Sequence, residues 1–540
     1  MALRAEPVPM PEKRVTFKHS RGTYYAYYTL RAYRNKQGKP TSDEIAIGKK
    51  DPETGMLIPN RRYFELFHRA AEPQKKEHSA ANTQARSPCR IASYGNTYSL
   101  MEITQTLALR EILEKCFPEK WQHILAVAFY MLCEGNVMMY IDDWFDETEV
   151  SFTEVLDDYK CSRLFASISY EERSHFLREW VKLRAEQEYI AYDVTSVSTY
   201  SQGIDSAEWG YNRDKERLAQ VNVGMFYGTK SRLPVYYDVY SGSVPDKSRL
   251  VFMMDGAEKI GIAKARFVVD CGFVTADNLK FMGGNHYLFV TALSKHLVEA
   301  KKIIDAHKKD VRKAVNRISA YDVYALPVEI DLYGLRMIAH IYFDAEKQVV
   351  DEKELYAHIE RLESDLKRMS KRSCVTNKYT DFFTIEQEKA EKFDFAPDND
   401  KIDQRLSRTG FFILLSNDIN LSSCDVLSIY RSKDVIEKHF DQLKNGLDFR
   451  RLRTHCNQTT DGKLFVGFLA LILRSYLLSK IKENQATKHL TLGKVLIEFR
   501  KIKSITFDDS TRMLQPLTKL QRTILEAIGI SPKELHESFK

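Results

Sequence analysis

A short apolar run that encloses a single carboxylate, Tyr189 to Thr195, constrains the fold of this chain more than any other stretch. Its order, Tyr-Ile-Ala-Tyr-Asp-Val-Thr, is typical of a buried β-strand. Burying an unpaired carboxylate such as that of Asp193 costs on the order of several kcal/mol. We therefore expect a cation, or a strong set of hydrogen-bond donors, beside Asp193.

A second carboxylate closes the next buried strand along the chain. Residues 266–270 read Arg-Phe-Val-Val-Asp, and Cys271-Gly272-Phe273 follows directly. Ligands commonly bind at strand ends in open sheets, and a glycine such as Gly272 permits a close backbone approach. The sequence thus predicts that Asp270 lies at a binding site.

The periodicity around these two strands predicts an α/β core. Two further strand-like runs, 221–227 and 233–240, flank the turn-forming residues 228–231, and helical and strand patterns then alternate. This order indicates a mixed sheet with helices on both faces. A hairpin over 321–345 interrupts the core as a β-rich insertion, so the chain is predicted to be α+β overall.

The pattern divides the chain into six predicted segments. They are a basic N-terminal β-unit with a linker over 1–95, a helical domain over 96–185, the first part of the core over 186–300, the β-rich insertion with a connecting segment over 301–420, the completion of the core over 421–482, and a C-terminal helical tail over 483–540 that is a candidate for oligomerisation.

Composition excludes some classes of protein and leaves others open. Lys and Arg number 81 against 74 acidic residues, a net charge of +7 that permits nucleic-acid binding without establishing it. The eight cysteines are scattered without a CxxC pair, which predicts neither a zinc ribbon nor a disulfide framework. The N-terminus lacks the apolar run of a signal peptide, and the absence of a long uninterrupted apolar stretch predicts no membrane partner.

A third carboxylate, Glu437, lies in a stretch with helical periodicity. At about 100° per residue, it shares a sector of roughly 80° with Tyr430, Lys433, Asp441 and Lys444, beside an apolar stripe. The pattern predicts one helix that packs on the core along its apolar edge and presents a glutamate flanked by cations. Asp441, one turn further on, is the alternative acid, and Glu437 alone would most often be a solvated residue paired with lysine.

Three such carboxylates suit phosphodiester chemistry with hard cations. Two oxygen-ligated ions can flank a scissile phosphate, and the lack of a His/Cys cluster favours Mg²⁺ or Mn²⁺ over zinc. The predicted metal ligands and catalytic residues are Asp193, Asp270 and Glu437. Phosphate contacts are predicted for the residues Tyr430, Arg431, Lys433, Lys438, Lys444, Arg450, Arg451 and Arg453.

The same residues resemble a known family, the DDE transposases of bacterial insertion sequences. The signature helix of that family reads Tyr, two residues, Arg, three residues, Glu, six residues, Lys. Tyr430, Lys433, Glu437 and Lys444 have this spacing, with Lys433 in place of the expected Arg. The resemblance also covers the segments 24–48, 210–214, 270–273 and 410–417.

The resemblance implies a ribonuclease H-like core that uses two Mg²⁺ or Mn²⁺ ions per active site for DNA cleavage and strand transfer. It implies that the N-terminal β-unit and the helical domain bind the inverted-repeat ends of an insertion sequence. The expected partners are double-stranded DNA, both ends and target, and a second copy of the chain in a synaptic complex. A bacterial cytoplasmic location, on the nucleoid when DNA is bound, is also expected.

Two other classes of function stay open on the sequence. One is a nuclease on the same core that cuts DNA without joining it. The other is a non-catalytic DNA-binding protein derived from such an enzyme. Strand-transfer products separate the first class from a transposase, and metal binding separates the second.

Overall fold

The computed structural model describes residues 7–20, 23–34, 39–52, 54–67, 88–184, 188–212, 214–259, 266–368, 377–387, 393–433, 441–508 and 510–539. Glu437 and Lys438, two of the predicted site residues, lie outside these ranges. The chain forms two compact units, residues 1–85 and 86–540. The finer division into six segments stays a prediction.

The N-terminal unit is a small antiparallel sheet. Its strands pair in chain order around a core of Ala26, Ile47, Leu57 and Tyr63. The second strand pairs antiparallel with the third, and part of the turn between them lies outside the described residues. The elements are β1 (Val15–Ser20), β2 (Thr23–Arg34), β3 (Pro40–Lys50), β4 (Leu57–Pro59) and α1 (Arg61–Phe67).

The second unit begins with one strand, and a group of helices follows in the segment that the sequence predicts to be helical, 96–185. The helix from Tyr170 begins with a capping box, in which the Ser169 hydroxyl and the Glu172 carboxylate each accept a hydrogen bond from the other's backbone N–H. The elements are β5 (Pro88–Ser93), α2 (Gly95–Thr106), α3 (Leu109–Cys116), α4 (Trp121–Glu134), α5 (Ile141–Glu147), α6 (Asp158–Ser167) and α7 (Tyr170–Lys182).

A mixed sheet follows, and two of the three predicted carboxylates lie on one of its strands or directly after one. The run around Asp193 forms strand β6, which is third from one edge of the sheet and is buried along nearly its whole length. The strand β6 pairs antiparallel with β7 and parallel with β9, which in turn pairs parallel with β10. The elements are β6 (Tyr189–Thr199), β7 (Ala219–Gly228), β8 (Pro234–Ser241), α8 (Asp246–Lys259), β9 (Arg266–Val269), α9 (Ala276–Gly284) and β10 (Leu288–Leu293).

Four strands of the predicted insertion, β11, β12, β13 and β16, extend this same sheet, whereas β14 and β15 pair only with each other. The strand β16 lies antiparallel between β10 and β13, so the nine-stranded sheet has the order β11-β12-β13-β16-β10-β9-β6-β7-β8. The elements are α10 (Val298–Val311), β11 (Arg317–Ile318), β12 (Val323–Leu332), β13 (Leu335–Phe343), α11 (Ala345–Arg368), α12 (Asn377–Thr380), β14 (Phe383–Gln387), β15 (Phe393–Pro397), α13 (Asn399–Leu406) and β16 (Phe411–Ser416).

Further helices and two short strands complete the second unit. Those elements are α14 (Ser423–Arg431), α15 (Asn457–Glu483), α16 (Leu492–Arg500), β17 (Lys503–Phe507), β18 (Arg512–Leu514), α17 (Lys519–Ala527) and α18 (Pro532–Glu537). Helix α15 is long and apolar enough to cross a membrane, but 78% of its most apolar window is buried inside the protein. Packing against α4 and α6 in the core accounts for that apolar composition.

Candidate active site

The two predicted aspartates lie beside each other at the centre of the sheet. Tyr192 of β6 is opposite Val269 of β9 in a parallel register, and both side chains are buried in the core. Asp193 and Asp270 are the next residues on these two chains, and both chains are still extended there. Successive side chains alternate between the faces and neighbouring strands lie about 4.8 Å apart, so the two carboxylates share one face at adjacent positions.

Asp270 receives several donors on one of its oxygens. Its Oδ1 accepts hydrogen bonds from the Cys271 N–H at 2.9 Å and the Tyr430 hydroxyl at 3.3 Å. The Lys433 ammonium lies 3.1 Å from the same oxygen, and its side chain is only 8% exposed. Burial by itself would raise the pKa of Asp270, but Lys433 and the two hydrogen bonds lower that pKa below its usual value. Asp270 is therefore held as a carboxylate.

Asp193 is half-buried, with apolar neighbours on both sides. Its Oδ1 accepts a hydrogen bond from the N–H of Val194 at 2.8 Å, and Tyr192 and Val194 themselves are buried. The strand thus turns Asp193 toward the partly open face while its neighbours anchor the backbone in the core. Asp193 thus lies within a buried strand, as its apolar flanks predicted, and the cation expected beside it stays a prediction.

The predicted helix from Tyr430 to Lys444 is interrupted by a turn at Ser432 and Lys433, and residues 434–440 lie outside the described ranges. Helix α14 ends at Arg431, and Gln442–Gly446 forms a π-helical turn. The Ser432 hydroxyl donates to the carbonyl oxygen of Ile429 at 2.5 Å, a local bond that competes with continued helix. The alternative acid, Asp441, is exposed and accepts a hydrogen bond from the Asn445 amide.

Two of the three predicted metal ligands lie within the described residues. Glu437 lies outside the described residues, as does Lys438. Within the described part of the chain, no group of three or more His, Cys, Asp or Glu side chains is placed to hold a metal ion. The structure thus brings together two of the three predicted acids, and the third stays a prediction.

Lys444 is tied to the loop that follows β6. Its ammonium lies 2.6 Å from Asp214 Oδ2, and its side chain is only 11% exposed. The π-helical turn that carries Lys444 is supported from α15, where the Arg474 guanidinium donates to Gln442 Oε1 at 2.8 Å. That guanidinium also fills the space beside Gly446, where a Cβ would lie 2.5 Å from its Cζ.

The downstream arginines also have protein partners. Arg451 forms two hydrogen bonds with the Glu216 carboxylate, at 2.7 and 2.9 Å, and these lower the pKa of Glu216. Arg450 donates to Asn445 Oδ1 at 2.7 Å but is exposed. The remaining predicted DNA contacts are Arg453, paired with Asp448, and Arg431, whose guanidinium lies 4.9 Å from the Tyr321 ring centre.

Sequence reasoning missed the acidic residues that hold these cations. Asp214 and Glu216 follow β6 in the chain and bind Lys444 and Arg451, and Ser198 donates to the same Glu216 carboxylate at 2.9 Å. The only available signal was the segment 210–214, which carried part of the family resemblance. Nothing local in it indicates a partner more than two hundred residues away.

The comparisons with known proteins agree with a transposase domain at this place. The family model described as "Transposase DDE domain" matches residues 184–473, more than half of the 540-residue chain, and this range includes β6, β9 and α14. No curated protein matches the chain.

One solved structure is similar to the chain at low sequence identity. It is the cryo-EM structure of the piggyBac transposase synaptic complex with hairpin DNA, with 9% identity, a TM-score of 0.32, and coverage of 82% of this chain and 75% of that one. A likeness of this strength does not establish a shared fold.

Proposed function

Since the chain belongs to the transposase DDE-domain family, we propose that it binds the ends of a bacterial insertion sequence and catalyses two-metal DNA cleavage and strand transfer. Asp193, Asp270 and Glu437 are the proposed catalytic residues and metal ligands. The observation that carries the proposal is the placement of Asp193 and Asp270 side by side on two parallel strands within the matched domain.

The order of the central strands supports a ribonuclease H-like core. Three consecutive strands, β6 to β8, run antiparallel, and β9 and β10 then add on the other side of β6, parallel to it. Helices α8 and α9 connect β8, β9 and β10. In this arrangement Asp193 lies on β6 and Asp270 directly follows β9. Both aspartates therefore lie where the pairing between these two neighbouring strands ends.

The residues at the site fit a hard divalent cation. Both aspartates offer carboxylate oxygens, and Asp270 is kept ionised. None of the three donors to Asp270 uses its Oδ2, which is the oxygen we assign to a metal. Two bound Mg²⁺ or Mn²⁺ ions would activate the attacking water or 3′-hydroxyl and stabilise the leaving oxygen.

The side chains around the aspartates have positioning roles in this proposal. Tyr430 and Lys433 both contact the Oδ1 oxygen of Asp270 and thereby fix the orientation of its carboxylate group. Lys433 also supplies positive charge next to the place of the scissile phosphate. Because lysine presents a point charge where the family pattern has arginine, we expect no bidentate phosphate contact from this position.

The proposed DNA contacts are two side chains beside Asp270, Tyr430 and Lys433, and the basic residues near them or further along the chain. We propose that Tyr430, Arg431, Lys433, Lys438, Lys444, Arg450, Arg451 and Arg453 line the path of the DNA, with the exposed Arg450 as the most direct phosphate contact. The other proposed partners are target DNA and a second copy of the chain, within the bacterial cytoplasm.

The decisive experiment uses end-labelled DNA carrying the short inverted repeats that flank the gene. We expect the wild-type protein with Mn²⁺ or Mg²⁺ to nick this DNA and join the new 3′-ends to a target plasmid. Asp193→Asn, Asp270→Asn and Glu437→Gln should each reduce cleavage by at least about a thousandfold while end binding persists.

Two control variants test whether the loss of cleavage is specific to the three proposed ligands. Asp277→Asn removes an exposed aspartate close to Asp270 in the chain, and Asp441→Asn removes the alternative acid of the signature segment; both should cleave as wild type. Hydrolysis without joining would indicate a nuclease. Full cleavage by Glu437→Gln with loss of cleavage in Asp441→Asn would move the third ligand to Asp441.

A further inference from the structure

The loop between β6 and β7 displays three aromatic rings to solvent. Tyr200, Trp209 and Tyr211 are 75%, 68% and 83% exposed. By contrast, Trp144 and Trp180, two of the other three tryptophans in the chain, are 8% and 0% exposed. Rings exposed to this degree contribute little to the core, and several on one loop mark a surface that meets a partner.

The backbone beneath these rings is held firmly. Glu208 and Gln220 exchange backbone hydrogen bonds at 3.1 and 3.0 Å, and the Gln220 amide donates to the carbonyl oxygen of Tyr211 at 3.0 Å. Between the two rings, Gly210 lies so close to Gly242 that a Cβ would collide with the Gly242 carbonyl oxygen. Trp209 and Tyr211 thus project from a backbone with little freedom to lose on binding.

Cations accompany the rings along the same loop. Lys215 and Arg217 are exposed a few residues further on. The Arg451 guanidinium lies 5.3 Å from the ring centre of Tyr200. Exposed aromatic rings followed by exposed cations a few residues later suit a nucleic-acid strand, because the rings stack on bases while Lys215 and Arg217 contact phosphates.

The distance along β6 from Asp193 to the base of the loop can be estimated from the strand register. Gln220 is opposite Ser198, which lies five residues beyond Asp193 on β6. At about 3.3 Å per residue this is roughly 17 Å along the strand, or about five base-pair steps of a duplex. A DNA end with its scissile phosphate at the two aspartates therefore passes the rings if it runs along β6.

We propose that Trp209 and Tyr211 stack on bases of an opened step in the DNA, about five base pairs from the scissile phosphate. This inference rests on the proposed function, because it needs DNA at the candidate active site. A ring can meet the face of a base only where the neighbouring base pair has separated from it, so the loop acts as a wedge that selects or stabilises a distorted end.

The test compares fully paired DNA ends with ends that carry a mismatched step three to seven base pairs from the cut. With paired DNA and Mn²⁺, Trp209→Ala should cleave at least about tenfold more slowly than wild type, because a lost base–ring stack weakens the opened state. With the mismatched DNA, the defect should shrink to within about twofold. Trp209→Phe, which keeps a ring, should cleave both substrates nearly as well as wild type.

Permanganate reactivity gives a readout that does not need cleavage. In complexes with the Asp193→Asn protein and Ca²⁺, a thymine within the same window should become reactive as it unstacks, and Asp193→Asn/Trp209→Ala should abolish that signal. The matched control is Tyr356→Ala in the same background: Tyr356 is 50% exposed on α11, outside the segments expected to bind the DNA ends. This control should leave the reactive thymine unchanged.

The outcomes separate this inference from the proposed function. If wild type cleaves the ends but Trp209→Ala cleaves paired DNA equally well, or is equally slow on both substrates, the wedge is overturned while the transposase proposal stands. If the reactivity is unchanged and Trp209→Ala instead loses self-association, the rings serve a protein interface and the wedge is again overturned. If the wild-type protein cleaves neither the paired nor the mismatched ends, the proposed function itself is contradicted.

Discussion

The Lys433 ammonium contacts the Oδ1 oxygen of Asp270 at 3.1 Å from a side chain that is almost completely buried. The Asp270 side chain is 41% exposed, so the pair joins a buried ammonium to a partly solvated carboxylate, and each charge offsets the other when no metal is bound. The same ammonium is a competitor for a divalent ion, since like charges repel at short range. Lys433 therefore links the stability of the empty site to its affinity for metal.

Replacement of Lys433 should make the protein more dependent on metal. We expect Lys433→Met to lower the melting temperature by several degrees in EDTA, because Asp270 then lacks its counter-charge. Mn²⁺ should raise the melting temperature of this variant more than that of wild type, because the ion no longer competes with an ammonium. Thermal unfolding with and without Mn²⁺ measures both effects. Lys433→Arg retains the charge and should behave like wild type; an equal Mn²⁺ shift in all three proteins would contradict the prediction.

The Lys444–Asp214 pair offers a test of the predicted phosphate contact. Lys444→Ala should weaken binding to DNA ends and reduce the slope of log affinity against log salt by about one. Asp214→Asn breaks the same ion pair but frees the ammonium, so its affinity for DNA should be equal to or higher than that of wild type. Fluorescence anisotropy between about 50 and 200 mM salt measures both. Equal losses in the two variants would make Lys444 an anchor of the loop rather than a DNA contact.

Gly462 allows helices α6 and α15 to approach closely. A Cβ at Gly462 would collide with the carbonyl oxygen of Phe165 and lie 2.7 Å from its Cα, and this backbone cannot move aside as a side chain can. Gly462→Ala should therefore lower the free energy of unfolding by about 1–3 kcal/mol. Gly493→Ala is the matched control, because nothing lies within 4 Å of its added Cβ; it should be neutral or stabilising by up to about 1 kcal/mol. Urea unfolding measures the free energy of unfolding of both variants, and an equal change in the two would contradict the prediction.

His340 should make the protein sensitive to acid. Burial lowers its pKa from an ordinary 6.5 to about 4, and its Nδ1 lies 2.8 Å from the Ser423 hydroxyl at the start of α14. Between these two pKa values His340 is protonated in the unfolded chain but neutral in the folded chain. The free energy of unfolding therefore falls as the pH drops from 6.5 to 4. The loss reaches about 3 kcal/mol at pH 4.

The His340 effect is measured as the change in urea midpoint across that pH range. His340→Gln should show a shallower decline than wild type, because its side chain does not titrate. His296→Gln removes an exposed imidazole and should decline as wild type does. A parallel decline in all three proteins would contradict the assignment.

Local pattern in the sequence was sufficient for the centre of the sheet. The apolar runs around Asp193 and before Asp270 each form a buried strand, and parallel pairing then places both carboxylates on one face. The hairpins and the helical group were predictable for the same reason, because their periodicity is local. The ribonuclease H-like core, the metal ions and the role of Glu437 stay proposals.

Contacts between distant parts of the chain were not predictable from one sequence. Lys444 and Asp214 are 230 residues apart, and Arg451 and Glu216 are 235 apart, so no periodic pattern relates them. The end of α14 was also missed, because the hydroxyl of Ser432 bonds back to Ile429 although the amphipathic pattern continues past it.

The place of β16 in the sheet bears on how this protein can be shortened. Because β16 supplies the antiparallel neighbour of β10, cutting out residues 317–416 would strip one whole side of β10 of its backbone partners. An uncovered row of N–H and C=O groups is a template for pairing with other chains. A trimmed version of this protein would then gather into insoluble aggregates instead of yielding a minimal catalytic fragment.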